Sequence, residues 1–259
     1  MKAAQPAGVS LRSLPPCRPR ILVLALLIGL VGPSQAATAP ELNVWTETEV
    51  AAAQLVCTRE LATIAVEAER LAPLKQGVCG TPAPISVRSI GAAKVELKPV
   101  VVTSCPMAVA LHKWVEMFVQ SAARDMFGAP VIRLVTASSF VCRNRNNEVA
   151  GPISEHAYAN AVDIAGFVLK DGRTITVLDG WGTPERETKA FHKPAATEAA
   201  SATAAADPAG VTKDAQFLRR LHKGACEVFG TVLGPESDAY HRNHFHLDFK
   251  PRKTRSFCQ

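Results

Sequence analysis

Six cysteines behind an export-type leader constrain this chain more than any other feature. Residues 1–36 carry no acid. Arg18 and Arg20 precede the apolar run "ILVLALLIGLVG" (21–32), and small residues Ser34 and Ala36 follow it. That order of basic, apolar and small-residue regions is the layout of a secretory signal, with cleavage expected after Ala36 or Ala37. The run is shorter than the roughly 20 residues that span a bilayer, so no stable membrane insertion is expected after cleavage. No cysteine lies close enough behind it for a lipid-modified N-terminus. Cys17 leaves with the leader, and Cys57, Cys79, Cys105, Cys142, Cys226 and Cys258 remain. An even count in an exported chain reads as three disulfides. The expected pairing is Cys57–Cys79, Cys105–Cys142 and Cys226–Cys258. No CxxC pair is present, which argues against a structural zinc site built on these cysteines.

The leader also changes the charge. Lys2, Arg12, Arg18 and Arg20 leave with it, taking the basic count from 29 to 25 against 23 acids, a net charge of about +2. The basic balance is therefore mostly the leader's. With no arginine–lysine cluster interleaved with aromatics, nucleic acid is not an expected partner. The 47% hydrophobic content is ample for one core, and a monomer is expected.

The organisation follows from periodicity and punctuation. Residues 37–56 form an N-terminal segment leading into a first helix. Thr46 and Glu49 offer a capping box, and the helical pattern runs to about Leu71. Residues 85–102 read as short strands. A second helix is predicted from Pro106 to Gly128, with Leu111, Trp114, Val115, Phe118 and Ala122 on its core face. "VIRLVTASSFVC" (131–142) reads as a strand and "RNRNNEVAGP" as a polar loop. Residues 160–169 and 174–181, around an Asp-Gly turn, predict a hairpin. Residues 182–210 are low in complexity and read as a flexible insertion. Residues 214–234 read as a further amphipathic helix and "NHFHLDF" as a last strand. Helices and strands mix without a βαβ rhythm. The expected class is α+β, a small, mostly antiparallel sheet with flanking helices, stapled by disulfides over residues 57–258.

Chemistry concentrates in two places. "HRNHFHLDF" (241–249) holds His241, His244 and His246, and His244, His246 and Asp248 fall on one face of a strand. "SEHAYANAVDIAGF" (154–167) holds His156 and, inside an apolar run, Asp163. An acid there is costly to bury unless it is paired or binds a cation. Either motif alone is common without a metal. If the two strands are neighbours, two histidines and a carboxylate converge, with a fourth position left to water, which is the ligand pattern of a catalytic zinc site. Asp248 is placed to orient a histidine, Asp238 is a further candidate to assist, and Ser154 is placed to cap a turn. Tyr158 and Trp181 are candidates for a groove wall as much as for packing. His241 reads as a surface residue, with a substrate contact as the alternative, and His112, His192 and His222 receive no role.

Ser154, His156, Ala161 and Asp163 resemble the S-x-H-x-x-G-x-A-x-D pattern of zinc D-Ala-D-Ala carboxypeptidases. The late HxH is similar to that of lysostaphin-type peptidases, penicillin-insensitive murein endopeptidases and hedgehog-type domains. Through "SEHAYANAVDI", "FLRRLHKGACEVFGTVLGP" and "HRNHFHLDF", the stretch from about Cys57 to Cys258 resembles the bacterial extensin-like C-terminal family. The resemblance implies a hedgehog/D-Ala-D-Ala-peptidase-like fold and one Zn2+ held by His156, Asp163 and His246. It implies that His244 acts in catalysis and that Arg143 holds a substrate carboxylate or carbonyl. The substrate it implies is the peptide part of peptidoglycan, and the location periplasmic or secreted. Two departures stand out. Ala159 occupies the pattern's glycine, and no glutamate base precedes His246, where Asn243 and His244 stand instead. A wall-binding domain that keeps the metal without turnover, and a disulfide-stabilised domain with no metal, are the alternative readings.

Overall fold

A computed structural model of the chain describes residues 44–190, 211–253 and 255–259. The leader and most of the low-complexity stretch therefore lie outside the described residues. Helix α1 (Glu47–Leu61) opens on the expected capping box, Thr46 accepting from the Glu49 backbone N–H while the Glu49 carboxylate accepts from that of Thr46. Strand β1 (Val66–Arg70), the β2–β3 hairpin (Leu74–Gln76, Cys79–Thr81), β4 (Ile85–Ile90) and β5 (Val95–Thr103) follow. Helix α2 (Cys105–Trp114) continues through a π-turn, Val115–Val119, into α3 (Gln120–Phe127), which ends on Gly128 in the left-handed conformation, φ 69°. Glycine takes that conformation without the Cβ clash other residues meet. Then come β6 (Val131–Ser138), β7 (Ala161–Leu169), β8 (Thr174–Thr176), α4 (Val177–Gly180), α5 (Glu185–Ala190), α6 (Lys213–Ala225), β9 (Thr231–Leu233), β10 (Phe245–Asp248) and β11 (Phe257–Cys258).

The class is α+β, but the sheet is neither small nor uniform in direction. Nine strands run in the order β1-β4-β5-β6-β7-β10-β9-β11, with β8 beside β7. The pairs β5–β6 and β9–β11 are parallel and the others antiparallel. The β5–β6 pair is joined through α2 and α3, one crossover unit where none was expected. Such a connection is what parallel neighbours require. On the helical side Trp114, Phe167, Phe217 and Phe229 are buried in edge-to-face contacts, with the buried Phe245 ring tilted against Phe167. The Trp114 indole donates to the Leu221 carbonyl at 3.0 Å, and the buried Gln120 amide exchanges two bonds with the backbone of Val131. These polar groups are thus buried without being left unpaired.

Several boundaries differ from the sequence reading, each for a physical reason. The first helix stops at Leu61, and "VEAER" is a strand. β1 is an edge strand, and its Glu67, Glu69 and Arg70 face solvent, where charge blocks further strand pairing. The hairpin's second arm is short because Thr176 caps α4 by accepting from the Asp179 N–H. The last long helix ends at Ala225, since Thr231–Leu233 pair with both β10 and β11. Residues 182–190 of the expected insertion are held, with the Arg186 guanidinium donating to the Pro235 carbonyl. No helix among the described residues is long and apolar enough to cross a membrane.

Two of the three expected disulfides are corrected. The bonds are Cys57–Cys105, Cys79–Cys142 and Cys226–Cys258. Cys57 lies on the face of α1 that meets the start of α2, so Cys105 is within reach. Cys79 sits in the β2–β3 hairpin, beside the segment leaving β6, where Cys142 stands and the Gln76 carbonyl lies 3.7 Å from its sulfur. Non-reducing peptide mapping should recover those three cross-linked pairs and neither Cys57–Cys79 nor Cys105–Cys142. A Cβ at Gly230 would lie 1.9 Å from the Lys250 carbonyl oxygen. Gly230→Ala should therefore lower the unfolding free energy by about 1–3 kcal/mol in a denaturant titration.

Candidate metal centre

The site forms where two strands distant in sequence become neighbours. β10 pairs antiparallel with β7, and the register sets His246 directly opposite Asp163. Asp163 and His246 point from the middle of the sheet towards the same side. His156 comes from a 3-10 turn, Glu155–Tyr158, just ahead of β7. That turn closes through Ala159, whose φ of 54° is left-handed. A Cβ in that conformation costs roughly 1 kcal/mol, so the turn would form more easily with glycine than with Ala159. The Ala159 carbonyl is fixed by the Ser104 N–H at 2.7 Å and the Thr103 hydroxyl at 3.0 Å.

The three side chains converge closely. His156 Nε2 lies 3.1 Å from Asp163 Oδ1 and 3.1 Å from His246 Nδ1, and His246 Nδ1 lies 3.0 Å from Asp163 Oδ1. All three residues are buried. Their other bonds fix which nitrogens carry protons. His156 Nδ1 donates to the Ser139 carbonyl at 2.6 Å, and His246 Nε2 donates to Asp248 Oδ2 at 3.3 Å. In the neutral rings the facing nitrogens, Nε2 of His156 and Nδ1 of His246, are therefore lone pairs. Three lone-pair atoms pointed at one another in a buried space repel unless a cation lies between them. Ligand atoms on a tetrahedron with bonds of about 2.0–2.1 Å stand ~3.3 Å apart, so the donor set and its spacing fit zinc.

The electrostatics agree with a site made for positive charge. Burial alone would raise the Asp163 pKa, but the hydrogen bonds and charges of His156 and His246 outweigh it and hold the carboxylate far below its usual range. Burial would likewise lower the His246 pKa, yet Asp163 and then Asp248 push it up to about 9. A proton on His246 thus stands in for the cation when no metal is bound. Asp248 is itself held by the Lys250 N–H at 3.0 Å.

The triad forms the floor of a cleft of about 360 Å3. His244 reaches it from just before β10. Its Nδ1 donates to Asn243 Oδ1 at 2.8 Å, and its Nε2 faces Asp163 Oδ1 at 3.7 Å. Burial pushes the His244 pKa down to about 4, only partly countered by Asp163. Ser154 and Arg143 also line the cleft. Ser154 precedes the His156 turn without a side-chain cap, and its N–H donates to the Arg143 carbonyl.

His241, read from sequence as a surface residue, is buried. Its Nδ1 donates to Asp238 Oδ1 at 2.8 Å, and its ring lies 5.2 Å from that of His244. The His-x2-His spacing could have signalled this, but the Asp238 turn that holds the ring could not be read. Trp181 is core, packed on His222 and Phe245 with its indole N–H on Glu236. Tyr158 is half-exposed and does not line the cleft. A second grouping, His222 with Cys226 and Cys258, lacks ligands because its sulfurs are joined in a disulfide. His112 lies on α2 away from the cleft, and His192 lies outside the described residues.

Two outcomes test the site. The purified protein should bind about one zinc per chain, and His156→Ala and Asp163→Ala should each lose it by metal analysis. Since a metal must displace the His246 proton, apparent zinc affinity in chelator competition should rise about tenfold per pH unit and level off near pH 9. In the metal-free protein the raised pKa stabilises the fold fully below the unfolded-state value. That stabilisation is lost as pH rises through about 9.

The Extensin-like protein C-terminus family matches residues 55–206 and 202–259, which together include the triad, His244 and the cleft walls. No curated protein and no solved structure matches the chain. Since the two matched segments run from within α1 to the last residue, the chain belongs to the Extensin-like protein C-terminus family.

Proposed function

We propose that this chain is an exported zinc hydrolase of peptide bonds, of the hedgehog and D-Ala-D-Ala-peptidase type, acting on the peptide part of peptidoglycan. The observation that carries the reading is the convergence of the His156, Asp163 and His246 lone pairs at the floor of an open cleft, with His244 beside them. Two histidines and one carboxylate leave a coordination position for water or substrate, as catalytic zinc sites do and closed structural sites do not. The substrate assignment rests on the resemblance of the two histidine motifs to murein peptidases and on the export-type leader.

Zinc held there supplies a Lewis acid for the scissile carbonyl and acidifies water in the cleft. The chain supplies the rest. With Nδ1 committed to Asn243, His244 presents the Nε2 lone pair to the reacting centre. Its depressed pKa keeps that lone pair free across the neutral range. His244 takes the proton of the attacking water as the carbon–oxygen bond forms, and passes it to the leaving nitrogen as the carbon–nitrogen bond breaks. Asp248 and the Ser139 carbonyl hold the two ligating imidazoles in the tautomers that face the metal. Arg143, on the cleft wall, holds a carbonyl or carboxylate of the substrate.

The test compares muropeptides released from purified sacculi by the zinc-loaded wild type and by His244→Ala. The expected outcome is new peptide ends with the wild type, and a rate about 100-fold or more lower in the variant with its zinc retained. Zinc binding and sacculus binding with no new ends in either would instead support a wall-binding domain. Equal product profiles from the two proteins would remove His244 from the mechanism.

A further inference from the structure

The cleft carries two aromatic rings that neither the core nor the metal triad accounts for. Among the exposed large apolar side chains of the described residues, Tyr240 and Phe257 are the two that line it. Tyr240 keeps 64% of its surface exposed and Phe257 44%. Exposed apolar residues scattered singly mean little, but these two share one site. Their main chains are held in place. The Tyr240 N–H donates to Asp238 Oδ1 at 2.8 Å, and the Phe257 N–H to the Gly230 carbonyl at 2.9 Å, one residue before the Cys226–Cys258 disulfide.

The register fixes where Phe257 stands. Asp248 pairs with Thr231 and Thr231 with Phe257, one row across β10, β9 and β11. Residues in such a row share a face of the sheet, so Phe257 stands on the face that carries Asp248 and the triad. Two strand spacings across and two residues along put its backbone about 12 Å from that of His246, the span of roughly three to four extended residues. Arg252 lies over the Phe257 ring at 5.6 Å and donates to the Thr231 hydroxyl, which backs one face of the ring. Tyr240 comes from the loop between β9 and β10, so both rings flank the β9 side of the cleft.

Charge narrows the ligand. Asp238, in the loop of Tyr240, and Asp248, in the row of Phe257, disfavour an anion at the rings. The guanidinium over Phe257 disfavours a cation there. What remains is a neutral group with an apolar face. Arg252 gives one hydrogen bond to Thr231 and has further N–H groups to offer, while the Tyr240 hydroxyl bonds none of the described residues. Rings with such polar groups at their edges suit a saccharide, which lays its C–H face on the ring and turns its hydroxyl and acetamido groups outward.

We infer that Tyr240 and Phe257 form a saccharide-binding subsite on the β9 side of the cleft, so that the ligand is a peptide still joined to an N-acetylated sugar. The sugar then lies roughly three to four residues from the bond held at the triad. The placing of that bond rests on the reading proposed above, but the subsite itself is measurable without metal. The probes are tri-N-acetylchitotriose and acetyl-trialanine amide, both neutral and similar in length. Each is titrated by NMR into zinc-loaded wild type, chelator-stripped wild type, Tyr240→Ala, Phe257→Ala and Phe257→Tyr.

The saccharide should bind at least about tenfold more tightly than the peptide in both forms of the wild type. Each alanine variant should weaken it about fivefold, and Phe257→Tyr, which keeps an aromatic face, should bind it as the wild type does. Both side chains are exposed, so the variants should fold, and recovery of the Cys226–Cys258 bond checks that the terminal strand is in place. Equal binding of the two probes, or saccharide binding unchanged in both alanine variants, would overturn the subsite. So would binding lost when zinc is stripped, because the metal would then be the group holding the sugar. A second measurement compares cleavage of muropeptides with the sugar present and with it removed by an amidase. The sugar-bearing form should react faster, and Phe257→Ala should narrow the difference. Saccharide binding without cleavage of either form supports the subsite and removes the peptidase reading. Cleavage of both forms at one rate, without saccharide binding, does the reverse.

Discussion

The pairing of β7 with β10 places His246 against Asp163, and the candidate site depends on that register. A slip of one residue would turn His246 to the opposite face, exchanging it for an apolar neighbour. The register is held on both flanks. β6 covers the other edge of β7, and β9 covers the other edge of β10. Phe245 and Leu247, which alternate with His246 along β10, are buried in the core. The same strand therefore anchors the hydrophobic layer with one face and supplies the candidate metal site with the other. Disturbing the core beneath Phe245 would be felt at the ligands.

Burying two imidazoles and a carboxylate side by side is unfavourable in an empty state. The surrounding bonds do not relieve this and in fact sharpen it. By taking the outward protons of His156 and His246, the Ser139 carbonyl and Asp248 turn both inner nitrogens into acceptors. The arrangement makes sense only with a positive charge at its centre, whether a proton or a metal. The Lys250–Glu155 pair adds a brace between the end of β10 and the His156 turn. The two halves of the site are thus joined beyond the ligands themselves.

Much of this was legible in the sequence, because local chemistry was strong there. The Thr46–Glu49 capping box, the Pro106-to-Gly128 helix and the Asp-Gly hairpin each rest on short-range rules that the tertiary structure had no cause to override. Asp163 stood out because an acid in "NAVDIAGF" needs a partner. What could not be read depends on contacts between distant segments. The Cys57–Cys105 and Cys79–Cys142 bonds follow from α1 meeting α2 and from a small hairpin folding beside the end of β6. His241 looked like a surface residue because only the turn at Asp238 draws its ring inward. β1 reads as helix from its sequence because an edge strand in water carries the glutamates and arginine that also suit a helix. The Ser139 carbonyl is backbone, and no side-chain pattern can announce it.

β10, the strand that completes the sheet's interior beside β7, lies some eighty residues after it in the sequence. As synthesis proceeds from the N-terminus, β6, β7 and β8 are made first, and the Ala161–Ile164 part of the far edge of β7 stays open until β10 arrives, next to the Gly166–Val168 part that β8 covers. Non-local closure of this kind is slow, since a long loop must be ordered before its contacts form. A chain truncated before Phe245 would keep His156, Asp163 and most of the hydrophobic core, yet leave Ala161–Ile164 of β7 unpaired and lack the third residue of the candidate site. The segment carrying β10 thus couples closure of the sheet to assembly of the candidate metal site, since one strand does both.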